Sequence, residues 1–304
     1  MSLPTQDQSS LTSRQYLPGS QIELVRPIAR RGAICSALFD FDGTISLIRE
    51  GWQQVMIPMM VELIRTSTPA SDAESEEETR AIVVEFVDRL TGKQTIYQML
   101  QLVEEIRKRG GEPLEPLAYK KLYHDRLWER IVDRVADLKA GRADAERLMV
   151  PGARELLAGL RDAGITLYLA SGTDLDFVLD EVAALGLTSY FDGGIYGALD
   201  KWESFSKAMI IEQILRDHEL AGARLAIFGD GYVEIENARS VGGIAVGVAS
   251  DEARREGIDE WKRSRLVSAG ADLIVPEFRE HERLIAYLLS PDEPPTDGAA
   301  SVGG

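Results

Sequence analysis

The sequence predicts an α/β fold: a doubly wound, mainly parallel sheet with an α-helical unit inserted into it. Three observations predict it. Short apolar runs without a helical period recur along the chain, amphipathic helical patterns separate most of them, and the interval from about Ile45 to Asp162 carries helical patterns alone. Strand–helix–strand alternation builds a parallel sheet with helices on both faces. Ligands of such sheets sit beyond the carboxyl ends of the strands.

In chain order, residues 1–30 are polar at their start and are expected to be poorly ordered. Ala33–Phe39 is apolar and too short for a helix, so Cys35–Phe39 reads as a strand buried on both faces. Gly43 breaks it. The helical patterns follow: "GWQQVMIPMMVELIR", "ETRAIVVEFVDRL", "IYQMLQLVEEIRKRG" and "LAYKKLYHDRLWERIVDRVADLKAG". The polar, acidic stretch "TSTPASDAESEEE" between the first two reads as a solvated linker. "GARELLAGLRDAG" returns the chain to the sheet. Further strands are expected at Gly164–Gly172, Phe191–Gly197, Arg224–Gly231, Gly242–Ser250 and Ala271–Phe278, with helical patterns such as "DLDFVLDEVAALG" and "SKAMIIEQILRDHEL" between them. The tail from Ser290, rich in Pro, Gly and acid, is expected to be disordered. The organisation expected is therefore a segment 1–30, a sheet-bearing core of 31–46 and 163–289, a helical unit of 47–162, and a tail of 290–304.

Composition bounds the function. At 304 residues with 44% apolar and 28% charged residues, the chain is that of an ordinary globular protein. A formal net charge of −16 argues against nucleic acid or an anionic membrane as partner, since both need a basic footprint. A small phosphorylated metabolite can still enter a locally positive pocket. One cysteine, Cys35, excludes an internal disulfide and fits a reducing compartment. The N-terminus has no basic segment followed by an apolar one, and no run approaches the ~18 apolar residues of a membrane span. A cytoplasmic location is expected; oligomeric state is left open by the sequence.

Polar groups gather at the strand ends. The first strand delivers Asp40 and Asp42; residues two apart on a regular strand share a face. The second delivers Ser171-Gly172-Thr173, and the fourth Gly229-Asp230 with Glu234 shortly after. The carboxyl ends of parallel strands converge on one edge, so these groups should meet across the sequence. Two carboxylates about 4 Å apart repel by roughly 4 kcal/mol at an effective dielectric constant of 20. A cluster of Asp40, Asp230 and Glu234 therefore raises its pKa values or recruits a cation. Hard oxygens without nearby His or Cys select Mg²⁺ over zinc. His124, His218 and His281 show no metal-ligand spacing.

"DFDGT" ending a first strand, a Ser ending a second, a Lys opening a helix and "GDGYVE" ending a fourth together resemble the four motifs of the haloacid dehalogenase-like superfamily. The inserted helices resemble the helical cap of its phosphoglycolate phosphatase and β-phosphoglucomutase branch. The resemblance spans roughly Ala33 to Leu289 and rests chiefly on the first and fourth motifs. It implies a Rossmann-like core, and it implies roles. Asp40 is the nucleophile that forms an aspartyl-phosphate. Asp42 is the acid that protonates the leaving oxygen and then the base that activates water. Mg²⁺ is held by the side chains of Asp40 and Asp230 and the backbone carbonyl of Asp42. Ser171, with backbone N–H groups near Gly172, and Lys207 bind the phosphoryl group. Lys201, just upstream, competes with Lys207 for the lysine's role. Glu234 stands where the family often has Asp, and holds metal-bound water or the lysine. The break Gly92–Thr95 lies where such caps read the substrate, which makes Lys93 and Gln94 candidates; Arg49 is expected to guard the entrance.

The function so implied is a Mg²⁺-dependent phosphatase acting on a small phosphate monoester, of sugar phosphate or phosphoglycolate type. A β-phosphoglucomutase-like phosphomutase is the nearest alternative. It is disfavoured because "ISLIREGW" lacks the Asp-Thr pair that such chains tend to carry after the first motif. A catalytically silent binding protein on the same fold is the alternative from another class. It has no use for the charge repulsion of the retained carboxylates.

Overall fold

A computed structural model describes residues 14–28, 31–67, 74–199, 206–217 and 222–291. Among these residues the sheet has seven strands: β1 (Glu23–Leu24), β2 (Ser36–Phe39), β3 (Thr166–Asp174), β4 (Gly194–Ala198), β5 (Leu225–Gly229), β6 (Ile244–Val248) and β7 (Leu273–Val275). Their spatial order is β1-β7-β6-β5-β2-β3-β4, and every pairing is parallel except β1 with β7. The fold is thus the mainly parallel α/β sheet that the alternation predicted.

From β2 the order runs through β3 and β4 to one edge, then resumes at β5 on the other side of β2. The join between β2 and β5 is the topological switch point, where open parallel sheets leave a crevice for ligands. Phe39 and Phe228 stack across it with ring centroids 4.4 Å apart.

Alternate residues of each central strand point to opposite faces. Ala37 and Phe39 of β2, with Phe228 of β5, enter one apolar layer, shared with α5 (Ala153–Asp162), α6 (Leu175–Ala184) and α10 (His281–Leu289). Leu38 and Ile227 enter the other, shared with α7 (Lys207–Asp217), α8 (Tyr232–Val241) and α9 (Glu260–Ala269). Burial on both faces is why these strands read as unbroken apolar runs.

The interval without strand patterns folds as α1 (Gln53–Ser67), α2 (Glu76–Leu90), α3 (Thr95–Lys108) and α4 (Pro116–Lys139). Its apolar stripes, Met59 and Met60 of α1, Phe86 of α2, Met99 and Leu102 of α3 and Leu127 of α4, join the first layer. The chain leaves and re-enters the sheet through two adjacent segments. Leu47 N–H donates to the Leu148 carbonyl and Val150 N–H to that of Ile45, each at 2.8–2.9 Å.

Several local expectations need correction. Residues 1–30 were expected to be poorly ordered, yet Glu23–Leu24 pairs with β7 and Ile22 is buried. The acidic end of the expected linker is the first turn of α2. Ser75 and Glu78 form a reciprocal capping box, and Glu76, Glu77 and Glu78 face the positive end of the helix dipole. β2 stops at Phe39, so Asp40 and Asp42 lie on the loop beyond it rather than on a regular strand. β3 continues past Gly172 to Asp174. The tail from residue 292 lies outside the described residues.

Candidate active site at the carboxyl ends of β2, β3 and β5

The loop after β2 carries the two aspartates into a single cavity. Asp40 N–H donates to the Phe228 carbonyl at 2.9 Å, which pins the loop to β5 as the strand ends. Gly43 then turns the chain with φ +79, and a Cβ there would lie 2.3 Å from Asp230 Oδ2. Only a residue without a side chain permits both that backbone angle and the approach of that carboxylate. Thr44 ties the two loops together: its hydroxyl accepts the Asp230 N–H at 3.0 Å and lies 3.5 Å from Asp40 Oδ2.

Asp40 and Asp42 occupy opposite settings. Asp40 Oδ1 lies 2.5 Å from Lys207 Nζ, and Lys207 also contacts Glu234. Burial pushes the Asp40 carboxyl well above the ordinary carboxylate range; Lys207 opposes that shift, while Glu234 and Asp230 add to it. Burial works against the Lys207 ammonium too, but the two facing carboxylates outweigh it and hold the lysine charged. A cation in the first turn of a helix opposes the helix dipole; here its anions are Asp40 and Glu234. Glu234 fits against β5 because Gly229 has no side chain, since a Cβ there would meet the Glu234 chain at 2.4 Å.

Asp42, by contrast, is held by hydroxyls. Its Oδ2 accepts from Thr173 Oγ1 at 2.9 Å and from Ser171 Oγ at 3.2 Å. Its Oδ1 is buried without a hydrogen-bond partner among the described residues, 3.7 Å from Arg49 Nε. One carboxylate is therefore paired with an ammonium, and the other rests on two hydroxyls with a guanidinium nearby.

Lys93 reaches the same place from the helical block, while Gln94 packs beside it against Gly172 and does not line the cavity. A Cβ on Gly172 would lie 3.0 Å from the Lys93 carbonyl and 3.3 Å from Gln94 Cα, so the α2–α3 loop sits directly on the end of β3. Asp40, Asp42, Asp230, Ser171, Lys207 and Lys93 line one cavity of about 100 Å³, which Trp52 and Tyr123 help to close. Arg49 also lines it, but it is buried and bonded to Glu181 of α6 through Nε and Nη2, at 3.0 and 2.7 Å, rather than poised at an entrance. Lys201 and His218 lie outside the described residues.

The structure adds residues that the sequence reading left unassigned. Thr173 joins Ser171 on Asp42; the signal was its place two positions along the same strand. Lys262, in the first turn of α9, bonds Asp230 Oδ2 at 2.8 Å and Glu252 Oε1 at 2.6 Å. His124 of α4 lies 3.5 Å from Asp174, which also contacts Lys120. Among the described residues no three His, Cys, Asp or Glu side chains converge as a metal cluster. The set expected for a metal contains only two such side chains, Asp40 and Asp230, completed by a backbone carbonyl.

The family model of the haloacid dehalogenase-like hydrolases matches residues 36–242. By sequence, no curated protein matches the chain. Among solved structures, a predicted phosphoglycolate phosphatase from Haemophilus somnus superposes with a TM-score of 0.55 at 16% identity, covering 83% of this chain and 98% of its own. The β-phosphoglucomutase of Clostridium difficile gives 0.54 at 14% identity, covering 83% and 96%. CbbY from Rhodobacter sphaeroides, in complex with phosphate, gives 0.50 at 22% identity, covering 81% and 96%. At these identities the likeness is one of fold.

Proposed function

The chain belongs to the haloacid dehalogenase-like hydrolases, and on that premise we propose that it is a Mg²⁺-dependent phosphatase of small phosphate monoesters, acting in the cytoplasm. The observation that carries this reading is the unequal treatment of Asp40 and Asp42. In this reading Asp40 is the nucleophile, and its contact with Lys207, a cation that can share a phosphoryl group, supports the assignment. Asp42 is the residue that carries the proton in this reading, supported by one oxygen on Thr173 and Ser171 and another without a hydrogen bond among the described residues.

In the first step a carboxylate oxygen of Asp40 attacks phosphorus. The bond to the leaving oxygen breaks, and Asp42 supplies that oxygen's proton, so the alcohol departs and an aspartyl-phosphate remains. In the second, Asp42 takes a proton from water as the water oxygen attacks phosphorus, releasing phosphate and restoring Asp40. Ser171, the N–H groups near Gly172, and Lys207 hold the phosphoryl oxygens; Glu234 keeps Lys207 in place. Residues 47–162 serve as a cap over the core of 31–46 and 163–289. Lys93 faces the leaving group from the cap, with Gln94 beside it against Gly172, and the small cavity suits a small metabolite.

The donor set fits Mg²⁺. Asp40 and Asp230 are close enough for Asp230 to raise the Asp40 pKa, both line the cavity, and among the described residues no histidine or cysteine lines it with them. The two carboxylates and the Asp42 carbonyl would hold the ion, which when bound neutralises charge on the transferring phosphoryl group. Among the described residues no helix is long and apolar enough to cross a membrane.

Phosphate release from a panel of sugar phosphates, phosphoglycolate and an aryl phosphate, with Mg²⁺ or with chelator, tests the proposal. Release should require Mg²⁺, vanish in Asp40→Asn, and fall by about 10²–10⁴ in Asp42→Asn. Release that survives Asp40→Asn, or none from any ester, would overturn it.

A further inference from the structure

Asp230 stands between two cavities. One contains Asp40 and Asp42, and the other is lined by Glu252 and Lys262. Lys262 Nζ lies 2.8 Å from Asp230 Oδ2 and 2.6 Å from Glu252 Oε1, with only 12% of its side chain exposed. Both carboxylates crowd the same point beside the aspartate loop. A Cβ on Gly43 would come within 2.3 Å of Asp230 Oδ2 and 3.1 Å of Glu252 Oε1. Glu252 therefore stands against Asp230 from the second cavity, and an ammonium occupies the point between the two carboxylates from which a cation would bind both.

We infer that Lys262 is a positioning residue that sets the metal selectivity of the site, by holding Asp230 Oδ2 and keeping Glu252 out of the metal's ligand set. The inference rests on the reading of Asp40 and Asp230 as the metal's carboxylates. Mg²⁺ is small, octahedral and satisfied by one or two carboxylates with water, whereas Ca²⁺ takes six to eight oxygens, and its affinity rises with the number of charged ligands. A bonded Lys262 removes one negative charge and one ligand from the neighbourhood of the metal, and so disfavours Ca²⁺. Residues that contact a ligating carboxylate typically change metal affinity by about 10–100-fold when replaced.

Two substitutions have opposite expected effects, which a merely structural role does not produce. Lys262→Met frees Glu252 to join Asp230, so Ca²⁺ binding should tighten about tenfold relative to Mg²⁺. Glu252→Gln leaves Lys262 to Asp230 alone, so binding of both ions should weaken. The double substitution should return the Ca²⁺ to Mg²⁺ affinity ratio towards that of the wild type, and Lys262→Arg should hold near it. Titration calorimetry of the full chain with MgCl₂ and with CaCl₂ reads these affinities without turnover; circular dichroism reports folding. If Lys262→Met does not fold, the weakening in Glu252→Gln decides. An unchanged ratio in Lys262→Met, or unweakened binding in Glu252→Gln, overturns the inference while the metal reading stands. Absence of Mg²⁺ binding by the wild type, or undiminished binding by Asp230→Asn, overturns the metal reading and the inference with it.

Discussion

Arg49 Nη2 lies 2.7 Å from Glu181 Oε1, and both side chains are buried, one on the segment leaving the sheet and the other on α6. Burial pushes the Glu181 carboxyl up and Arg49 pulls it back; burial works against the Arg49 charge too, but Glu181 and then Asp42 outweigh it. Removing one partner of such a pair strands the other charge out of water. Glu181→Gln should therefore cost about 3–5 kcal/mol of stability. Replacing both, Arg49→Met with Glu181→Met, should cost less than the single change. Denaturant unfolding of the two variants checks the order; a double variant that costs as much as Glu181→Gln or more would mean that the pair is not coupled.

Thr173 Oγ1 donates to Asp42 Oδ2 at 2.9 Å, a shorter contact than that from Ser171. A hydrogen bond to a charged group contributes about 1.5–3 kcal/mol, equivalent to about 10–100-fold in rate when it is made at the transition state. Thr173→Val keeps the β-branched shape and loses the donor. It should lower kcat by that factor with little change in KM, measured on the best ester of the panel, whereas Thr173→Ser should recover most of the loss.

His124 gives the fold a pH dependence. Burial above all lowers its pKa from 6.5 to about 4; Asp174 opposes the shift, and Arg49 and Lys120 reinforce it. The unfolded chain therefore binds this proton at a higher pH than the native one does. The stability linked to His124 is complete above about pH 6.5 and is lost as pH falls towards 4. The size is on the order of 2–3 kcal/mol. Unfolding free energies measured from pH 7 to 4 should fall by that amount, and His124→Gln should flatten the curve over this window.

Much of the site was legible because its signals are local. An apolar run ending in "DFDGT" and another ending in "GDG" mark strand ends with carboxylates, and parallel topology brings them to one edge. Lys207 was legible as a cation misplaced in a first turn. Lys262 carries the same signal in α9, but nothing nearby in sequence names Asp230 and Glu252 as its anions. β1 was missed because two residues supply too little pattern, and its pairing with β7 spans some 250 positions.

By itself, the sequence determined the alternation of elements, the residues at each strand end and the interruption by helices, since backbone propensity and burial period act over a few residues. Only the tertiary structure decided which polar groups meet: Lys207 with Asp40 and Glu234, Arg49 with Glu181, Lys262 with Asp230 and Glu252, Thr173 with Asp42. Electrostatic pairing depends on distance and on exclusion of water. Both are set when elements far apart in the chain pack together, so no local pattern encodes them.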